Sequence, residues 1–323
     1  MNSKQKALIW LPGPDGLPSL GEAGVSRLER EAPAFAWKRV ADKDGFLAEL
    51  PGAVVALTWR FRRDWLASAP DLRLVSTPAA GREWLEIRSG PGLTVWFGGF
   101  HGIFMAETVA GLILAFVRGI KASIDCAARG EAWPRKNVHS LMRPLRGARV
   151  VILGFGRVGK WIGRLLKPFG VGLAGVNRSD FSRPSYFDAG DAVHPLERLD
   201  DLLPTADHLV LALPNDAGSD RIMDARRLAL LPRNAYIYNI GRGNAIDQPA
   251  LVASLESGAL AGAGLDVFEL EPLPADDPIL RAPNLIALPH VSAFAPGYMD
   301  AYLDEFLERL RREGGSALGE AQP

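Results

Sequence analysis

The sequence predicts an α/β protein of two lobes, each built on a parallel sheet, and three observations predict it. Short apolar runs alternate along the chain with segments of helical periodicity, the pattern of βαβ units joined by crossover helices. The length, 323 residues, exceeds an ordinary domain and suits two. Near the middle, the apolar run Val150-Val151-Ile152-Leu153 breaks into a glycine-patterned turn, Gly154-Phe155-Gly156-Arg157-Val158-Gly159, which opens into a helical stretch from Lys160 to Leu166. Bulk properties narrow the classes further. Hydrophobic residues make up 48% of the chain, enough for two cores. Lys and Arg number 37 and Asp and Glu 37, so no global charge argues for nucleic acid or an anionic membrane as partner. Cys126 is the only cysteine, which excludes an internal disulfide and a Cys-based zinc site; no metal is expected. The run Ala7-Leu8-Ile9-Trp10-Leu11 is too short to span a bilayer and lacks a cleavage pattern, so a cytoplasmic protein is expected.

Taken in order, Ala7 to Leu11 reads as a first strand, Gly45 to Leu50 as the end of a helix, and Ala53 to Trp59 as a second strand. Trp65-Leu66-Ala67 belongs to a short helix. Leu72 to Thr77 is a further strand, ended by Pro78-Ala79-Ala80-Gly81. Small residues at a strand's carboxyl end let backbone N–H groups reach a ligand, although an ordinary βα turn would have the same composition. Leu93 to Phe97 closes the first lobe. Gly98-Gly99-Phe100-His101-Gly102 reads as a hinge, followed by one long helix from Ile103 through about Ala127, with Met105, Val109, Leu112, Ile113, Phe116 and Ile120 at helical spacing. A polar, basic loop then leads to Gly147, and residues Gly314 to Pro323 read as a tail without structure.

The second lobe opens on the glycine turn. Strand, G-x-G-x-x-G and helix in succession form the context in which this pattern binds a dinucleotide. Gly154 permits the tight turn, Gly156 lets a pyrophosphate approach the backbone, and Gly159 lets the helix pack on the strand; the helix N-terminus then faces the phosphates. The next strand, Gly172 to Val176, ends in Asn177-Arg178-Ser179, with Arg183 nearby. A carboxylate is usual at this strand end in NAD enzymes, where it accepts from the ribose hydroxyls. A guanidinium beside a hydroxyl suits a 2′-phosphate instead. NADP(H) is therefore the expected cofactor, with NAD(H) possible.

Asp207 to Leu213 reads as a buried strand, Asp220 to Leu231 as a helix, Ala235 to Ile240 as a strand, Pro249 to Ser257 as a helix stopped at Gly258, and Ala261 to Val267 as a strand. Leu285 to Leu288 follows, and Tyr298 to Arg312 forms a final amphipathic helix. Three strand ends here carry chemistry: Arg242 between two glycines, Glu271 after Ala261 to Val267, and His290 after Leu285 to Leu288. The carboxyl edge of one parallel sheet gathers all three. Arg242 presents a planar fork for a carboxylate and its adjacent carbonyl. His290 can give and take a proton near neutral pH, and Glu271 can fix its tautomer. Of the five histidines, His139 and His194 lie away from this edge, His208 starts a strand at its other end, and His101 in the hinge ranks second as a substrate contact.

At these residues the chain resembles the D-isomer-specific 2-hydroxyacid dehydrogenase family. The resemblance covers nearly the whole second lobe. It rests on Gly154 to Gly159, Ala128 to Trp133, Leu213-Pro214-Asn215-Asp216-Ala217-Gly218-Ser219, Asn239 to Gly243, Gly264 to Pro272 and Leu288 to Ser292. It implies two Rossmann-like lobes, with a dinucleotide-binding domain (99–291) inserted in a flavodoxin-like substrate-binding domain (1–98, completed by 292–323). It implies Arg242, Glu271 and His290 as catalytic residues. It adds Leu213, Pro214, Ile240, Gly241 and Asp266 to the cofactor contacts, Asp266 at the nicotinamide amide. Asp216 and Ser219 stand where the family usually has two threonines. Ala80 and Gly81 fall where its substrate-carboxylate loop lies. Trp96 replaces a usual Asn.

The resemblance further implies hydride transfer from NADPH to a small 2-oxo acid held in the cleft between the lobes. The Asn177-Arg178-Ser179 cluster is most similar to glyoxylate and hydroxypyruvate reductases, and Glu271 argues against the formate-oxidising branch. Family members are dimers, and the helix after Ile103 is the expected interface of a homodimer. Two alternatives stay open at this point: a dehydrogenase for a bulkier 2-oxo acid or phosphite, with Trp96, Phe97, Phe100 and Phe104 lining a larger pocket, and a non-catalytic NAD(P)-sensing or corepressor-like protein.

Overall fold

The computed structural model describes residues 4–13, 16 and 18–317. They fall into two compact units, Met1–His101 with Ala295–Pro323, and Gly102–Phe294.

In the first unit, strands β1 (Gln5–Trp10), β2 (Phe35–Arg39), β3 (Ala53–Thr58), β4 (Leu74–Thr77) and β5 (Thr94–Phe97) form one parallel sheet in the order β2-β1-β3-β4-β5. This is the flavodoxin-like doubly wound order. Its inner strands are fully buried at Leu8, Val55, Ala56, Leu74 and Val75, as expected where helices cover both faces of a parallel sheet. Aromatic rings fill one side: Phe46 stacks on Trp10 at 5.1 Å and meets Trp65 at 6.1 Å. On the other side lies the final helix, Tyr298–Ala317. Tyr302 bonds the Ser76 hydroxyl at 2.9 Å, and Phe306 meets Trp96 edge-on at 5.8 Å. Trp96 is 3% exposed, with the Arg309 guanidinium over its ring. It is therefore core, not the wall of a larger pocket. The helix runs past Arg312 to Ala317, so the expected tail does not begin at Gly314. Residues 318–323, the rest of that tail, lie outside the described residues.

In the second unit, β6 (Arg149–Leu153), β7 (Gly172–Asn177), β8 (Ala192–Pro195), β9 (His208–Leu211), β10 (Tyr236–Asn239), β11 (Gly262–Leu265) and β12 (Leu285–Ala287) are all parallel, in the order β12-β11-β10-β9-β6-β7-β8. The chain starts in the middle with β6, builds outward through β7 and β8, then crosses to β9 and builds the other way. This is the Rossmann order, and its switch point lies between β6 and β9, where ligands bind at the carboxyl ends.

The structure corrects several local readings. The long helix after the hinge is two helices, Gly102–Val117 and Ile120–Ala128, at 64° to one another. Gly119 takes φ +69°, and a Cβ there would sit 2.7 Å from Val138 Cγ1, so the chain turns at the glycine. Most of the first helix is core: Val109, Leu112, Ile113 and Phe116 are at most 6% exposed. The exposed apolar side chains, Ile120, Ile124, Trp133 and Leu141, lie beyond it. The basic loop contains a helix, Arg135–Leu141. The helix expected over Asp220 to Leu231 shrinks to Ala225–Leu228, because the Asp224 carboxylate accepts the Arg227 N–H and Met223 bridges to Ile246. No single helix among the described residues is long and apolar enough to cross a membrane; the bent pair around Gly119 meets that test only when taken together.

Candidate active site

The glycine turn has a separate packing reason for each glycine. Gly154 takes φ +95°, and a Cβ there would lie 2.5 Å from the Ala212 carbonyl oxygen at the end of β9. A Cβ on Gly159 would lie 2.5 Å from the Gly154 carbonyl oxygen, so only glycine lets the helix Arg157–Leu166 pack this close to its strand. Gly156 differs: a Cβ there would meet nothing within 4 Å. The turn is open on that side, and the helix Arg157–Leu166 begins directly after it, so its first turn, where N–H groups point along the axis, faces that opening. An approaching pyrophosphate fits this cradle. Phe155 faces away from it. Its ring is fully buried against Phe187, and its N–H donates to the Val176 carbonyl at 2.9 Å.

A cavity of about 390 Å³ adjoins the turn, lined by Gly154, Gly156, Asn177, Arg178, Ser179, Leu213, Pro214 and Gly218 among others. The end of β7 is braced: Asn177 Nδ2 donates to the Phe155 carbonyl at 2.9 Å, and Asn177 Oδ1 accepts the Ser179 N–H at 3.3 Å. Arg178, 50% exposed at its side chain, pairs with the Asp216 carboxylate. Arg183 turns elsewhere, donating to the carbonyls of Phe187 and Asp188. The open turn, helix N-terminus and strand-end cavity together fit an adenosine diphosphate moiety. Among the described residues no group of three or more His, Cys, Asp or Glu could hold a metal ion.

Arg242, Glu271 and His290 meet at the carboxyl edge of the same sheet. His290 Nδ1 lies 2.7 Å from Glu271 Oε2, and Glu271 Oε1 accepts the Phe268 N–H at 3.0 Å. Burial would raise the Glu271 carboxyl, but the bonds from His290 and Phe268 outweigh it and hold the group below the ordinary value. A carboxylate only accepts, so Nδ1 carries the proton and Nε2 is the atom left to exchange one. The Glu271 bond raises the His290 pKa above its ordinary value, against partial burial and the positive charge of Arg242. Arg242 acts on both partners, lowering the pKa of each. The backbone around Arg242 is tightly placed: a Cβ on Gly241 would lie 2.6 Å from Leu213 N, and one on Gly243 1.8 Å from the Phe268 carbonyl oxygen. The buried Asn239 side chain accepts the Gly241 N–H and donates to the Arg242 carbonyl, and Arg242 Nη1 bonds the Gly241 carbonyl at 2.8 Å.

Asp266 has a role that spacing did not reveal. It is fully buried, and its two oxygens accept the N–H groups of Val291 at 2.7 Å and Ser292 at 3.0 Å. The His290 N–H donates to the Asp266 carbonyl at 2.9 Å. These three bonds hold His290 at φ +54°, a left-handed conformation costly for a residue with a Cβ. Ile240 is core, 1% exposed. His101 is 4% exposed and bonds Tyr298 at 2.8 Å within the first unit. Ala80 and Gly81 also belong to the first unit: Ala80 is exposed beyond β4, and Gly81 opens the short turn Arg82–Trp84.

Comparison with known proteins gives the family. Residues 110–292 match the family model for the D-isomer specific 2-hydroxyacid dehydrogenase, NAD binding domain. A glyoxylate reductase of Korarchaeum cryptofilum is 28% identical over 297 residues, covering 84% of this chain and 83% of the relative. An (S)-sulfolactate dehydrogenase of Chromohalobacter salexigens is 31% identical over 280 residues, covering 84% and 89%. Among solved structures, a D-isomer specific 2-hydroxyacid dehydrogenase from Xanthobacter autotrophicus Py2, in complex with NADPH and MES, superposes with a TM-score of 0.78 at 27% identity, covering 98% of this chain and 96% of that one. The chain belongs to the D-isomer-specific 2-hydroxyacid dehydrogenases and is an NAD(P)-dependent oxidoreductase of the 2-oxo acid and 2-hydroxy acid couple.

Proposed function

We propose that the protein reduces glyoxylate or hydroxypyruvate to the D-2-hydroxy acid with NADPH, and accepts NADH less well. The observation that carries this reading is the Glu271–His290 pair with Arg242 acting on both, in the unit that holds the glycine turn. When bound, the reduced nicotinamide supplies a hydride to the 2-oxo carbon. The Arg242 fork holds the substrate carboxylate and polarises the carbonyl. His290, protonated, donates from Nε2 to the carbonyl oxygen as it becomes a hydroxyl. Glu271 keeps the ring in the tautomer that leaves Nε2 toward the substrate, and stabilises the charged ring before the transfer. Support for NADPH comes from Arg178 and Ser179 at the end of β7, where a carboxylate would repel a 2′-phosphate, and from the NADPH named in the Xanthobacter complex.

The test is a panel of 2-oxo acids graded by side-chain size and charge, with each cofactor at equal concentration. The panel includes the oxo acid corresponding to sulfolactate, given that 31% identical relative. Highest kcat/KM on glyoxylate or hydroxypyruvate with NADPH is expected; a preference for a bulky acid or for NADH refutes the respective half. His290→Ala should lower turnover about 10²- to 10⁴-fold with dinucleotide binding intact. A homodimer is also proposed. Ile120 and Ile124, a helical turn apart, are 50% and 60% exposed, and Leu141 is 53% exposed. Light scattering on Ile124→Lys should then report a monomer.

A further inference from the structure

Asp216 belongs to a loop that lines the cofactor cavity through Pro214, Gly218 and Ser219, and it pairs with the Arg178 side chain of that same lining. It lies in the loop after β9, 38 residues from Arg178, and the two side chains form an ion pair. The loop is built to hold this carboxylate. Asp216 Oδ1 accepts the Gly218 N–H at 2.9 Å, Ser219 Oγ accepts the Asp216 N–H at 3.1 Å, and the same hydroxyl donates to the Pro214 carbonyl at 2.6 Å. Oδ2 is then left for Arg178. The guanidinium lies over the loop, so that a Cβ on Gly218 would come within 2.9 Å of Arg178 Nη1. Arg178 thus reaches from the end of β7 across to the β9 loop, and Arg178, Ser179, Gly218 and Ser219 line one cavity.

The ribose of a bound dinucleotide meets the end of the second strand, here Asn177 to Ser179. A 2′-phosphate placed there carries about −1.5 to −2 charges and needs the Arg178 guanidinium. That guanidinium is already committed to a carboxylate. With five N–H donors it can bridge both anions, but the phosphate and Asp216 then repel one another across it.

We infer that Asp216 is a selectivity-determining residue that competes with the 2′-phosphate for Arg178, so that the site distinguishes NADP(H) from NAD(H) less sharply than Arg178 and Ser179 alone would. NAD(H) carries no phosphate at this position and is indifferent to the competition. The inference rests on the proposed placement of the 2′-phosphate beside Arg178.

The test is direct binding, independent of turnover. NADP⁺ and NAD⁺ are titrated by calorimetry into the full-length parent, Asp216→Asn, Asp216→Ser and Arg178→Ala. Both Asp216 variants keep an acceptor for the Gly218 N–H and lose the charge, so a folding defect in one leaves the other to decide. NADP⁺ should bind Asp216→Asn and Asp216→Ser about 3- to 5-fold more tightly than the parent, and NAD⁺ should change less than about twofold, the upper end of the size expected for partly exposed charges. Equal changes for both cofactors, or weaker NADP⁺ binding, overturn the inference; weaker binding would make Asp216 the support of Arg178 instead of its competitor. The cofactor reading is judged separately. A parent that binds NAD⁺ more tightly than NADP⁺ refutes the NADPH preference, while a selective NADP⁺ gain in the Asp216 variants still upholds the competition.

Discussion

Replacing Glu271 with Gln keeps the shape of the side chain at His290 and removes its charge. The bond it alters is short, 2.7 Å to Nδ1. A hydrogen bond to a charged group contributes about 1.5–3 kcal/mol, against about 0.5–1.5 for a neutral one. The His290 and Glu271 side chains are 48% and 34% exposed, so solvent screens the pair and the lower end applies. The lower ends differ by about 1 kcal/mol, about fivefold in rate, so Glu271→Gln should lower kcat/KM for reduction at neutral pH about fivefold. The pH profile carries the sharper test. Glu271 holds the His290 pKa above the ordinary 6.5, and reduction needs the protonated ring. The rate of reduction therefore falls as pH rises through the His290 pKa, and in the variant that limb should move to lower pH. In the oxidation direction the neutral ring is required, so the acidic limb should move the same way. The assay is kcat/KM in both directions from pH 5 to 10, with cofactor saturating. A fivefold loss with both limbs unmoved would refute the claim that Glu271 acts through the charge state of His290.

Three further outcomes follow from the packing. Gly159→Ala drives a Cβ to 2.5 Å from the Gly154 carbonyl oxygen; it should cost about 1–3 kcal/mol of stability by denaturant unfolding and weaken dinucleotide binding. Asp191 is 2% exposed at its side chain, pairs with Lys167 and accepts the N–H groups of Leu173 and Asp188 at 2.8 Å each. Asp191→Ala should therefore destabilise by about 3 kcal/mol, the low end for a broken buried pair, because Asp188 still reaches Lys167 at 2.9 Å; a loss under about 1 kcal/mol would contradict this. His208 is 2% exposed, and burial pushes its pKa down to about 4, with Tyr238 bonding Nδ1 at 3.1 Å. The unfolded chain then binds more protons between pH 6.5 and 4, so stability is unaffected above 6.5 and falls as pH drops through that window. The full cost is about 3.5 kcal/mol at about 1.4 kcal/mol per pH unit, and His208→Gln should flatten that part of the stability profile.

How legible each part was depends on where its stabilising partners lie. The central strands β6 and β9 were readable because both sheet faces are covered, which demands continuous apolar runs such as Val150 to Leu153. Strands β2 and β8 lie at sheet edges, where a strand is only partly buried, and Phe35–Arg39 and Ala192–Pro195 carry no continuous apolar run, unlike the edge strands β5 and β12, which do and are legible. The helix break at Gly119 was missed because a lone glycine is tolerated in a helix; its left-handed backbone and close approach to Val138 are matters of packing. The segment from Asp220 failed for a related reason: the Met223 bridge to Ile246 is a long-range bond that ends local helical periodicity.

The sequence by itself determined the family, the two-lobed α/β class, the glycine turn and the residues at three strand ends. Each of these depends on local chemistry: a turn that admits only glycine, a strand that must be apolar, and functional side chains placed directly after strands or a short loop beyond them. Only the tertiary structure decided how those residues are held. Asp266 accepts from N–H groups 25 and 26 residues further along and fixes His290 in a left-handed conformation. Asp216 reaches Arg178 across 38 residues. Spacing cannot announce such bonds, because the sheet order, with β9 beside β6 and β7 beyond it, is what brings those loops together.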